Sequence, residues 1–187
     1  MRNAEIIRSF LEAEYKYSFV GVYLDNTEFG MLLSEWVKSN IFFEKFKEPF
    51  ENDFHITIKY GIHTNKVSEV EKVIRKYKKE TIICTLQELD IFTHEDQDVL
   101  IVKIKSKDMK DLNKILSDNL EVTDTYPIYK PHMTLAYLNK GEGKLYRGRS
   151  CFKGTKLIFD AVTFANHLGN PQIIQLSNNS QIPKDII

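Results

Sequence analysis

Polar and apolar positions along the chain fall into short blocks of period two, separated by blocks of helical period. SFVGVYLD, Ser18 to Asp25, reads as a strand, and Phe29, Leu33, Trp36 and Val37 then recur at helical spacing across 27–40. FHITIKYG, Phe54 to Gly61, alternates again, and Val67, Val70, Ile74 and Tyr77 form the apolar stripe of a helix over 66–79. TIICTLQELDIF and DVLIVKIKS are two strands joined by the acidic turn HEDQD, a hairpin. Met109, Leu112, Ile115 and Leu116 predict a helix over 107–119, and PHMTLAYL, Pro131 to Leu138, alternates once more. Final strands are expected at 156–164 and 172–177. Between these blocks, 41–54 is rich in Phe and contains Pro49, which predicts a packed loop. Residues 123–131 form an extended loop pinned by Pro127 and Pro131. Residues 139–149 carry Lys140, Lys144, Arg147 and Arg149 against Glu142, a mobile basic flap or an ordinary exposed turn. A helical extension is expected over 1–16, with Ile6, Ile7, Phe10 and Leu11 on one side, and a polar tail over 179–187.

The order of elements repeats. Strand 18–25, helix 27–40 and the strand holding His55 form one unit; strand 98–106, helix 107–119 and the strand holding His132 form the second. From strand start to histidine is 37 positions in the first unit and 34 in the second. Two such β-α-β units predict two lobes related by a pseudo-twofold, with the histidine strands facing each other.

The histidine strands share a signature. His55, Thr57 and Lys59 lie on one face of the first, with Ile56, Ile58 and Tyr60 opposite. His132 and Thr134 lie on one face of the second, with Met133, Leu135 and Tyr137 on the core side. Both read His-x-Thr-x-x-Tyr, and 77 positions separate the histidines. One His-x-Thr is an ordinary polar strand face; a matched pair on strands that each bury an apolar face points to a two-histidine site.

Composition narrows the chemistry. The 187 residues hold 26 basic and 26 acidic side chains, which argues against a long DNA or RNA tract as the main partner. A small phosphate-bearing ligand fits neutrality better. The two cysteines show no zinc or disulfide spacing, and Cys84, in TIICTL, is expected as a buried free thiol. No signal-peptide core or membrane-length apolar run is present, so a cytoplasmic protein is expected, with no membrane partner.

Imidazole, with an unperturbed pKa of about 6.5, is the side chain that gives or takes a proton near neutrality. A neutral His on one side of a phosphodiester can deprotonate an attacking hydroxyl, while a protonated His on the other side serves the leaving oxygen. Threonine hydroxyls two residues away can donate to the non-bridging oxygens. The carboxylates or thiolates that accompany histidine in zinc or two-metal sites are missing from both motifs, so no metal or other cofactor is expected.

HITIKYG and PHMTLAYL resemble the paired His-x-Thr signatures of the 2H phosphoesterase, or LigT-like, superfamily. The order of elements from about 17 to 177 is similar as well. The resemblance implies a bilobal α+β fold, with pseudo-twofold-related β-α-β lobes and antiparallel sheets around a central cleft, in a single domain over 17–178. It implies a metal-independent phosphodiesterase acting on 2′,3′-cyclic, 2′,5′- or 3′,5′-linked nucleotides. It makes His55 and His132 the acid–base pair, and Thr57 and Thr134 the phosphate binders. Lys59, Tyr23, Tyr129 and Lys140 are expected as further substrate contacts, with Phe50 and Tyr126 as additional stacking candidates. Tyr60 and Tyr137 match the motif, but alternation assigns them to the core. The YKPH lead-in and the Ile-, Lys- and Asn-rich composition look more like phage and bacterial members, including the anti-CBASS branch that destroys cyclic di- and trinucleotide immune signals. The expected substrate is accordingly a small cyclic oligonucleotide, cleaved by a monomer in the cytoplasm, the host's if the protein is phage-encoded. Two alternatives stay open: a 2′,3′-cyclic or 2′,5′-phosphodiesterase acting on RNA ends or 2′,5′-oligonucleotides, and a non-catalytic nucleotide sponge.

Overall fold

The computed structural model describes residues 17–24, 27–50, 53–124, 126–167 and 171–177. The expected helix over 1–16 and the tail over 179–187 lie outside the described residues. Within the described residues, eight strands run in chain order: β1 (Ser18–Tyr23), β2 (His55–Ile62), β3 (Ile82–Thr93), β4 (Gln97–Lys105), β5 (His132–Asn139), β6 (Lys156–Phe159), β7 (Ala161–Ala165) and β8 (Pro171–Gln175). Three α-helices accompany them: α1 (Glu28–Asn40), α2 (Val67–Ile74) and α3 (Lys107–Asn119).

The strands form two antiparallel four-stranded sheets, ordered β2-β1-β7-β8 and β5-β4-β3-β6. The predicted units are therefore present as β1-α1-β2 and β4-α3-β5, and each motif strand is the terminal strand of its sheet. This is the expected bilobal α+β architecture, with two antiparallel sheets built from repeated β-α-β units.

Side-chain hydroxyls start two of the helices. Thr27 accepts from the Gly30 amide at 2.9 Å and Ser106 from the Met109 amide at 3.0 Å, each satisfying a donor the helix leaves open. One apolar face of each sheet is buried: Val20, Val22, Ile56 and Ile58 in the first; Leu100, Val102, Met133 and Leu135 in the second. Leu33, Val37, Val70, Ile74, Met109, Leu112 and Leu116 from the helices join them in one core. Burying each such side chain stabilises the fold by about 1.5–3 kcal/mol.

The two units clasp each other. The Thr123 amide donates to the Gly61 carbonyl at 2.8 Å and the His63 amide to the Glu121 carbonyl at 3.1 Å, so the segment leading to the second motif pairs with the end of β2. Reciprocally, the Lys47 amide donates to the Tyr137 carbonyl at 2.9 Å, so the segment leading to the first motif pairs with β5. The clasp covers backbone that terminal strands would otherwise expose. Gly61 is essential to it: φ is +87°, and an added Cβ would lie 2.0 Å from the Thr123 carbonyl oxygen.

Two expectations are corrected and one open alternative is decided. The single strand expected at 156–164 is two strands in different sheets, because the chain crosses between lobes at Asp160, whose carbonyl accepts from the Leu176 amide at 2.8 Å. The helix expected over 66–79 ends at Ile74, and its last carbonyls are taken by the tighter bonds Lys76 to Val73 and Tyr77 to Ile74. Residues 139–149 form an anchored turn. The buried Asp98 carboxylate accepts from the Gly141 and Gly143 amides at 3.0 Å each, and Tyr146 is buried with its hydroxyl on the Asn40 carbonyl at 2.9 Å.

Candidate active site

Both motif strands carry a β-bulge at the same place, and β2 has a second irregularity at Gly61. Gly21 and Val20 of β1 oppose Thr57 and Lys59, which leaves Ile58 as the extra residue; Ile101 and Leu100 of β4 oppose Thr134 and Ala136, which leaves Leu135. Each strand therefore buries two consecutive residues after its Thr, and the alternation resumes in the other phase. Lys59 shares the core face with its partner Val20. It is 3% exposed and pairs with Asp124 at 2.5 Å, so it is a structural ion pair and not the open-face contact that alternation predicts. Tyr60 and Tyr137 are brought to the open face, opposite Phe19 and Val99. Strict period-two alternation assigns them to the core, and the bulge corrects it.

On the open face of the first sheet lie His55 and Thr57, both half-buried. The Tyr23 ring is tilted over the His55 ring at 5.3 Å, and Phe19 lies at 6.2 Å. On the second, His132 and Thr134 are half-buried, and Phe92 meets the His132 ring edge-on at 4.8 Å. The two rings interact: charge on His55 opposes protonation of His132. Burial is the larger cause, and together they hold His132 below the ordinary imidazole value, against the opposing pull of its bond to the Lys130 carbonyl.

The histidines are oriented identically. Nδ1 of His55 lies 3.2 Å from the carbonyl oxygen of Asp53, and Nδ1 of His132 lies 2.8 Å from that of Lys130. A carbonyl only accepts, so Nδ1 carries the hydrogen in both rings and Nε2 is the nitrogen that exchanges protons. Each orienting carbonyl belongs to the residue two before its histidine.

The bulged backbone of the first motif is held from the second unit. The Tyr129 hydroxyl donates to the Thr57 carbonyl at 2.9 Å, and the Asn113 side chain of α3 donates to the Ile58 carbonyl at 2.7 Å. Burial raises the Tyr129 pKa well above the ordinary phenol value.

This chain belongs to the Acb1 family of anti-CBASS proteins. The family model, described as anti-CBASS protein Acb1, matches residues 20–159, which include both motifs. Among solved structures, the Acb1-family chain is similar to Usb1 of Kluyveromyces marxianus (TM-score 0.58, 10% identity, 87% of this chain and 99% of that one). Usb1 solved with uridine monophosphate is also similar (TM-score 0.55, 9% identity, 87% and 99%). So are TT0787 of Thermus thermophilus (0.57, 15%, 86% and 95%) and LigT of E. coli in its apo form (0.52, 14%, 86% and 94%). No curated protein sequence matches at a significant level.

In this Acb1-family chain Tyr23 lies beside His55, the charge of His55 reaches His132, and Thr57 and Thr134 sit on the open faces of their strands, while the other expected contacts are placed differently. Lys59 and Tyr129 are structural, as described. Lys140, eight residues beyond His132, lies about 25 Å along the strand from it and donates to the His94 carbonyl. Phe50 packs between Phe46 and Phe54 at 5.9 and 6.0 Å, and Tyr126 is exposed. Phe92, Phe19 and Lys103 belong to the open faces but escape sequence reading, since each sits on a neighbouring strand and carries no motif. Lys103 stands directly across from His132. It lies 3.7 Å from Glu88 and 3.8 Å from Asp90, which also bind Lys153 and Arg147 at 2.8 and 2.9 Å. The bond to Lys153 is the main cause holding the Glu88 carboxyl down to about 2. Among the described residues no cluster of three or more His, Cys, Asp or Glu could hold a metal ion, and no helix is long and apolar enough to cross a membrane.

Proposed function

We propose that this protein is a metal-independent phosphodiesterase that cleaves small cyclic oligonucleotides, with His55 and His132 as its acid–base pair. The observation that carries the reading is the matched orientation of two interacting imidazoles, each anchored at Nδ1 through the carbonyl two residues before it. Membership of an anti-CBASS family supports a cyclic oligonucleotide immune signal as the substrate, met in the cytoplasm. The uridine monophosphate held by Usb1 supports a nucleotide-sized ligand in this fold.

The mechanism has two steps. A ribose 2′-hydroxyl loses its proton to one histidine and attacks the adjacent 3′-phosphate, while the other histidine protonates the departing 5′-oxygen. Water then opens the 2′,3′-cyclic phosphate, with the proton transfers reversed. Thr57 and Thr134 donate to the non-bridging oxygens, where negative charge is held as the phosphorus becomes five-coordinate. Tyr23 and Phe92, one beside each histidine, offer apolar rings to the bases on either side of the scissile phosphate.

The test is incubation of the purified protein with cyclic GMP–AMP in EDTA, with products separated by chromatography. Turnover is expected, and His55→Ala or His132→Ala reduces it by about 10²–10⁴-fold. Ligand recovered intact from wild-type protein marks the sponge instead, and unchanged turnover in either variant removes the two-histidine mechanism.

A further inference from the structure

We infer that His132 is the base and His55 the acid of the first, ring-opening step, an assignment set by the carboxylate beside one ring and the burial of the other; it rests on the reading above. The tripeptides that orient the histidines are Asp53-Phe54-His55 and Lys130-Pro131-His132. They occupy equivalent places, with an acid in one and a base in the other. The Asp53 carboxylate, 12% exposed, lies 3.9 Å from Nδ1 of His55. The ring's further neighbours include Tyr23 and Phe19 from β1, neither charged at neutral pH, and His132 across the site. A half-buried imidazole beside a carboxylate is favoured in its protonated form.

The surroundings of His132 differ. Lys103 stands opposite it on β4, Phe92 covers one side from β3, and His55 lies across the site. Beyond Lys103 are Glu88 and Asp90, themselves bound by Lys153 and Arg147, so three cations meet two carboxylates on this side. Burial, and after it the charge of His55, favour the neutral ring and hold its pKa below the ordinary imidazole value. The resting state is one charged and one neutral imidazole, already distributed for the first step.

The atoms balance. The 2′-hydroxyl proton passes to Nε2 of His132 as the O2′–P bond forms; the P–O5′ bond breaks and O5′ takes the proton from Nε2 of His55. The products are a 2′,3′-cyclic phosphate and a 5′-hydroxyl, with the charges of the two rings exchanged. In the second step His55 accepts the proton of water, the P–O2′ bond breaks, O2′ is protonated by His132, and a 3′-phosphate remains.

A leaving group that needs no proton separates the roles. On uridine 3′-(4-nitrophenyl phosphate), His55→Ala is expected within about tenfold of wild type, although it loses about 10²–10⁴-fold on cyclic GMP–AMP. His132→Ala loses about 10²–10⁴-fold on both. In Asp53→Asn the alkaline limb of the kcat/KM profile moves to lower pH and the acidic limb stays. Rescue of His132→Ala in place of His55→Ala, rescue of neither, or movement of the acidic limb in Asp53→Asn overturns the assignment and leaves the two-histidine reading standing. Wild-type protein inactive on both substrates removes that reading itself.

Discussion

At the scale of single residues, the site depends on where protons reside. Both histidines keep Nδ1–H on a backbone carbonyl, so each has one working nitrogen. His132 titrates below the usual imidazole value, chiefly because it is desolvated. A base must be neutral to act, so with His132 as base the acidic limb of kcat/KM falls below about pH 6.5. Activity is then retained as the pH drops toward 6.5 and is lost only as His132 takes up its proton. Initial rates from pH 4 to 9 check this; an acidic limb above pH 7 contradicts it. The His and Thr pairs were legible from sequence because each motif is contiguous and occurs twice. The contrast of Asp53 with Lys130 was also written in the chain. Its meaning needed the carboxylate to be seen against the ring.

At the scale of elements, the matched bulges decide what each motif strand displays. Period-two reading places His and Thr correctly and then fails at the third position, because a bulge adds one residue and reverses the phase. Nothing in HITIKYG or PHMTLAYL marks the added residue, since Ile58 and Leu135 are ordinary strand formers. The consequences are a buried Lys59 and open-face Tyr60 and Tyr137. Lys59→Met tests this placement. A buried pair replaced by an apolar side chain of similar length is often neutral or stabilising, and Asp124 remains 63% exposed to water. The variant is expected to keep KM within about twofold and stability within about 1 kcal/mol of wild type. A tenfold rise in KM would return Lys59 to the substrate.

At the scale of the whole molecule, two β-α-β units clasp so that each motif strand is covered by the segment leading to the other motif. The repeat in element order made the two lobes readable. The clasp and the crossing at Asp160 were not, because they are long-range pairings of short segments without periodicity. The anchoring of 139–149 was equally hidden, since the glycines that signal a loose turn serve here to bring amides onto the buried Asp98. The same arrangement carries the central claim, that one phosphorus atom lies between His55 and His132. A crystal structure with a uridine–vanadate complex tests it most directly. Both Nε2 atoms are expected within about 3 Å of apical oxygens on opposite sides of the vanadium, with the Thr57 and Thr134 hydroxyls on its equatorial oxygens. A vanadate bound by only one of the two histidines, or with both on the same side, contradicts the account.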